Sequence, residues 1–566
     1  MISSNRRIWV WPCVFFLLAL SAPSMAGVPA VARKVPGDSA YAVIMTKPAD
    51  VVAKICAFLD RFKQLNADLD MAVQGEKIKA ELGENILTPE GMRNFGIDPD
   101  GSIAIYGPEF QGEPVVAVGL TDAKVFKEKI FAAMEKSGKP KPGKPKRISG
   151  AEVYEPGGGS AIVLKGKWCL VVPKTQMQAK KGNPIQAFFG QGRKLATQAW
   201  FKQAMQAVDA NAHGMVLLDM GRVVKTFQTD MRTQRKFFEE QAKKAKDATW
   251  HKKHAKMLAA QERVGTDLLK KVQSLAIDWK LTDKRIESNF TLVSSKSGLR
   301  TMAMIFPAKP KLPAFHAEMA KTAVMSGWAA LQVNALLDLF APVPIGPEST
   351  VKNELDRGGA QFKQMFGLDL FKDLLGNAES AAFYLLSPDM EVLKPEMSKE
   401  EQVLRLIKLA VVVKLAKPAK AKEFLDKVET IMTAQKSQIA KEQIAGTEVR
   451  SLQPTPGAVV SWALKGDALL FGIGEGTVAN LLKISQAGMW SRASKASERA
   501  GGTLDFAALT EAMASAVAKN VGGDEGTEFR MAWPMVKQVL SQFAQVELAG
   551  TLDKGRLSVR SAIVFH

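Results

Sequence analysis

Two histidines three residues apart, His251 and His254, are of a type and spacing that could do chemistry: on a helix they share a face and could ligate one cation. Lys252, Lys253 and Lys256 surround them, their charge opposes a metal, and no zinc-protease glutamate accompanies the pair. The pair therefore reads as part of a solvated basic helix face. GIGEGT (residues 472–477) follows a strand-like run and opens a helix, as a dinucleotide-binding turn would, but no parallel strand–helix–strand context surrounds it. GKPKPGKP (residues 138–145) nearly spells a phosphate loop, yet Pro145 replaces the hydroxyl that would hold magnesium. Ser349 and Lys352 have the spacing of a serine–lysine nucleophile without its companion motifs, and Ser349 reads as a helix cap. Asp219, Asp278 and Asp283 stand at strand ends or turns, where aspartate is ordinary; a hydrolase would have to recruit them. No catalytic residue, cofactor site or metal site is expected.

One basic segment remains. Lys139, Lys141, Lys144, Lys146 and Arg147 are spaced by proline and glycine, so they predict an exposed, extended loop able to hold anionic lipid or polymer phosphates as point charges. A merely solvated connection is the plainer reading, since the loop has no aromatic or planar recognition group.

The elements that carry these residues are spelled twice. FGID (95–98) returns as FGLD (366–369), ISGAEV (148–153) as IAGTEV (444–449), and SAIVLKGKWCLVV (160–172) matches VVSWALKGDALLF (459–471). LTDKRIESNFTLV (281–293) is answered by TLDKGRLSVRSAIV (551–564). A period of this length implies a duplicated domain rather than a solenoid, with domains at 27–305 and 306–566 and a proline-stiffened linker at 307–313. Within each half, short alternating runs joined by hairpins predict an antiparallel, meander-like sheet with helices packed mainly on one face. The expected class is α+β, in two tandem homologous domains. A long charged helical stretch, about 226–271, elaborates the first half only.

Residues 1–26 read as a signal peptide: Arg6 and Arg7, an apolar run, and the small-residue site Ser24-Met25-Ala26 before Gly27. Export to the periplasm or beyond, with cleavage after Ala26 and no transmembrane helix afterwards, is the expectation. Net charge is +20, and +18 once Arg6 and Arg7 leave, which favours anionic lipid, cell-wall polymer or an envelope protein as partner over nucleic acid. Of the remaining cysteines, Cys169 stands where the second half has Leu469 and so reads as buried and apolar; its pairing with Cys56 stays open.

The strand-to-helix openings, the FGID and FGLD segments and the G-x-E-V pairs resemble a family of exported bacterial proteins described only as a domain of unknown function. That resemblance implies export and repetition, and no active-site residues. The favoured function is a non-catalytic envelope protein that binds an amphipathic molecule, an anionic envelope component or a protein partner; the alternative is a hydrolase of an envelope polymer.

Overall fold

Apolar residues occupy both faces of most strands, so each sheet needs cover on two sides, and this dictates the layering. The structure, a computed structural model, describes residues 28–566 apart from 111, 157–158, 178–182, 368, 370, 372–374, 389–396, 486–487, 494, 496 and 519–526. The signal segment and its cleavage point lie outside the described residues. One compact unit takes the described residues up to Phe227 together with Val272–Ser295; the other takes Gln228–Lys271 and Lys296–His566.

The first unit holds β1 (Tyr41–Thr46), β2 (Ser102–Gly107), β3 (Val115–Gly119), β4 (Lys146–Ile148), β5 (Ala151–Tyr154), β6 (Ser160–Lys165), β7 (Trp168–Pro173), β8 (Gly214–Asp219), β9 (Val272–Thr282) and β10 (Arg285–Ser294). They pair antiparallel throughout, in the order β10-β9-β8-β1-β2-β3-β7-β6-β5-β4. The second unit contains β11 (Lys311–Pro313), β12 (Ala323–Ala329), β13 (Ala378–Leu386), β14 (Leu409–Leu415), β15 (Ile439–Ile444), β16 (Thr447–Thr455), β17 (Ala458–Lys465), β18 (Ala468–Ile473), β19 (Trp490–Arg492), β20 (Glu498–Asp505), β21 (Phe543–Asp553) and β22 (Arg556–Phe565). Its large sheet runs β22-β21-β20-β12-β13-β14-β18-β17-β16-β15, again antiparallel. The α+β class and the antiparallel sheets are thus as expected.

Turn chemistry sets part of this register. Ser149-Gly150 and Ala445-Gly446 both place two consecutive residues at positive φ (54° and 75°, 48° and 72°), the geometry that closes a tight antiparallel hairpin, and glycine supplies the second position without steric cost. These turns join β4 to β5 and β15 to β16.

In the first unit helices cover both faces rather than mainly one. Ile44, Ala104, Tyr106 and Leu170 pack against Ile185, Phe188, Leu195 and Phe201 on one side. Met45, Ile103, Val118 and Cys169 pack against Val51, Leu82, Phe126 and Phe131 on the other. In the second unit one face is closed in the same way, with Tyr384, Val412 and Leu470 beneath Phe315, Met319, Leu481 and Leu482. The expected linker is partly structural: Lys311–Pro313 forms β11 and pairs with β19, because its carbonyls and the Ser380 hydroxyl, 2.7 Å from the Lys311 carbonyl oxygen, give it partners. The charged stretch folds as the helices Met220–Lys244 and Thr249–Leu269, and residues 228–271 belong to the second unit, where Lys253 meets Glu348 at 2.8 Å and Gln261 Nε2 donates to the Pro344 carbonyl at 3.2 Å.

Candidate functional site

The less covered face of the second unit's sheet is where the two units differ. In the first unit one row crosses five strands: Met45 (β1), Ile103 (β2), Val118 (β3), Cys169 (β7) and Leu164 (β6) stand opposite one another in register, and all five are buried. At the same place in the second unit's strand order stand Ala329, Ala381, Val413, Leu469 and Leu464, and each is partly or largely exposed. Two causes act together. Alanine replaces Met45 and Ile103, removing volume from the sheet side. The helices available as cover are also poor in buried apolar groups: Val333–Phe340 buries none of its residues, Val351–Phe366 only Gly359, and Pro418–Ala434 only Ala421. Phe362, Phe366 and Phe424 instead cluster with one another, with ring centroids 4.4 to 5.7 Å apart.

The adjacent row completes the arrangement. Gly327, Phe383, Val411, Phe471, Trp462 and Arg450 follow one another across β12, β13, β14, β18, β17 and β16. Phe383 and Phe471 are each 37% exposed in mid-strand. Trp462 is 5% exposed, and its indole Nε1 has no hydrogen-bond partner among the described residues, an unmet donor that ordinarily costs 1–3 kcal/mol. Arg450 closes the row, held by Asp426 and Glu429 at 3.0 Å and by Glu448 at 2.8 Å. These acids fix Arg450 in place, and the hydrogen bond from Arg450 holds the Glu448 carboxyl below its ordinary pKa. An apolar strip thus ends at an unsatisfied N–H and a compensated cation. Such a surface suits an apolar chain.

The residues singled out from sequence fall elsewhere. Lys139, Lys141, Lys144, Lys146 and Arg147 are all exposed. Lys141 lies 3.6 Å from Glu135, Lys146 lies 2.9 Å from Glu155, and Arg147 depresses the pKa of Glu152 behind Tyr154 and Lys127. The segment is not loop throughout: Lys146 and Arg147 belong to β4, since the Ser149-Gly150 turn folds them back onto β5. His251 and His254 enter an aromatic cluster, the His254 ring lying 3.8 Å from that of Trp250 and its Nδ1 3.0 Å from the Trp250 carbonyl oxygen. No cluster of potential metal ligands occurs among the described residues. Thr350, not Ser349, caps the helix at Val351, because its hydroxyl reaches the Asn353 N–H at 3.3 Å; Ser349 donates to Glu354 at 2.8 Å and Lys352 pairs with Asp356. GIGEGT sits between β18 and a helix in an antiparallel sheet, without dinucleotide-binding topology.

The three acids do not converge. Asp219 pairs with Ser274 and accepts from the Gly221 N–H at 2.9 Å, capping the helix that follows β8. Asp278 lies four residues further along β9, about 13 Å at strand rise, and accepts from Asn289 Nδ2 at 3.1 Å. Asp283 is at the far hairpin, where its carbonyl oxygen accepts from Arg61. Cys56 and Cys169 are both free; burial pushes the thiols up to about 11 and about 12 respectively, which keeps both protonated near neutral pH.

One buried titratable group escaped the sequence reading. His213, 3% exposed, precedes β8; its Nδ1 accepts the Leu281 N–H at 2.6 Å, and its Nε2 lies 3.4 Å from the Lys54 ammonium, which pairs with Asp50 at 3.0 Å. Burial, then the Lys54 charge, pushes its pKa down to about 4. A lone histidine at the head of a strand carries no signal of this role, which arises from a partner 68 residues away.

Fold and site together define an α+β protein with a partly open apolar sheet face. No family model matches the chain, and no curated protein matches it. Among solved structures, a chain titled "Structure of crystal form I of TP0453" aligns at 9% identity over 49% of this chain and 86% of that one, with a TM-score of 0.23, a likeness too low to carry an argument. No helix of the described residues is long and apolar enough to cross a membrane.

Proposed function

We propose that this is an exported, non-catalytic envelope protein, built from a duplicated domain, that binds an amphipathic molecule on the second unit's sheet. The observation that carries the reading is the row Ala329–Ala381–Val413–Leu469–Leu464, open where the corresponding row of the first unit is buried. The common strand order of the two units supports duplication, with the second copy released from packing to take a ligand. The apolar strip, with the half-exposed Phe383 and Phe471 rings beside it, receives an acyl or comparable chain. The acids are dispersed, with Asp219 and Asp278 taken up by structural hydrogen bonds, and offer no comparable convergence for hydrolysis.

Gentle purification of the mature chain followed by native mass spectrometry tests this. A stoichiometric adduct released on denaturation and recovered by lipid extraction is expected, and Ala381→Trp, which refills the row, should abolish it. An adduct-free protein that also fails to take up added fatty acid or lysophospholipid overturns the reading.

A further inference from the structure

The helical pair of the second unit ends in a tip that carries exposed aromatic rings among lysines. Phe237 and Trp250 are 55% and 54% exposed, and neither is free to fold inward. Phe238 packs edge-on against both rings, at 5.5 and 5.6 Å, while the His254 ring lies on Trp250 at 3.8 Å. The cluster therefore holds two large apolar rings outward at fixed positions. Around them, residues 236–256 carry seven lysines against three carboxylates. Of these acids, Glu239 is taken by Arg235 at 3.5 Å, and Asp247 is turned to the Thr249 N–H at 2.8 Å. Behind the tip the arginines are committed: Arg232 and Arg235 clamp the buried Glu262 at 2.7 and 3.3 Å, fastening one helix to the other.

We propose that this hairpin tip docks on an anionic lipid bilayer. Exposed Trp and Phe match the depth of the headgroup boundary, where an aromatic ring is favourable, and lysines match the diffuse negative charge of the headgroups. Charge complementarity selects an acidic partner, and the pairing of exposed aromatic rings with lysines selects a bilayer over nucleic acid or an acidic protein. One ring of the pair, Trp250, is already packed by His254, and the cations of the tip are lysine point charges without the arginine fork used for bidentate recognition. The tip shares no residue with the sheet face: amphiphile retention can fail while the tip still binds vesicles, and the reverse.

The test is sedimentation of the full mature chain with large unilamellar vesicles of phosphatidylcholine, with and without about one-third phosphatidylglycerol. Wild type should sediment with the anionic vesicles only, and less at high salt. Phe237→Ser/Trp250→Ser and Lys243→Gln/Lys244→Gln/Lys246→Gln/Lys252→Gln should each weaken partitioning by about tenfold or more at low salt. All six side chains are exposed, so circular dichroism of both variants should match wild type. A charge-matched control, Lys139→Gln/Lys141→Gln/Lys144→Gln/Lys146→Gln, should leave partitioning within about twofold. Absence of vesicle binding, equal losses in the tip and control variants, or preferential binding of duplex DNA over vesicles would each overturn it.

Discussion

Lowering the pH should destabilise the first unit through a single ring. The unfolded chain protonates His213 near its ordinary 6.5, whereas the folded unit resists protonation until about 4, because burial and the Lys54 ammonium oppose a second charge and Lys280 adds to them against Asp50. A folded pKa held below the unfolded one means that the unfolded state binds more protons throughout the window between them. The stabilisation is therefore complete above pH 6.5 and is lost as the pH falls towards 4. Its size is about 2 kcal/mol by pH 5 and about 3 kcal/mol by pH 4. Protonation at Nδ1 would also break the 2.6 Å bond from the Leu281 N–H, so the loss is structural as well as electrostatic. The measurement is urea unfolding at pH 7, 6, 5 and 4.5, comparing wild type with His213→Gln, whose amide oxygen can still accept from Leu281. Carboxylates titrate alike in both proteins, and the difference isolates the ring. Between pH 7 and 5, wild type should lose about 2 kcal/mol more than the variant. Parallel pH profiles would refute the argument.

Phe188 is fully buried, with its ring 6.2 Å from Tyr106 and edge-on to Trp168 at 5.7 Å, so Phe188→Ala should cost about 3–5 kcal/mol in the first unit's denaturation. At Gly446 a Cβ would meet nothing within 4 Å, but φ is +72°, so Gly446→Ala should cost about 1 kcal/mol from backbone strain alone; a cost above about 3 kcal/mol in urea unfolding would contradict that. Replacing Lys139, Lys141, Lys144 and Lys146 with Gln should change stability by less than about 1 kcal/mol in thermal unfolding, since these side chains are exposed and their pairs with Glu135 and Glu155 are on the surface.

Much of the architecture was legible because it depends on neighbours in sequence. Alternating apolar runs such as SAIVLK and ALLFGI specify strands, the Ser149-Gly150 and Ala445-Gly446 pairs specify tight turns, and Asp122 followed by Val125, Phe126 and Ile130 specifies a capped amphipathic helix. What the sequence could not show is which side chains stand abreast. Ala329 and Leu469 share a row through three strand pairings that span 140 residues, and their exposure depends on how much apolar surface helices from elsewhere in the chain bring over them. Likewise the separation of Asp219, Asp278 and Asp283, the burial of the Trp462 indole, and the burial of His213 against Leu281 are set by register across strands. Periodicity along one strand decides which face a residue takes; only strand order and packing decide what meets it there.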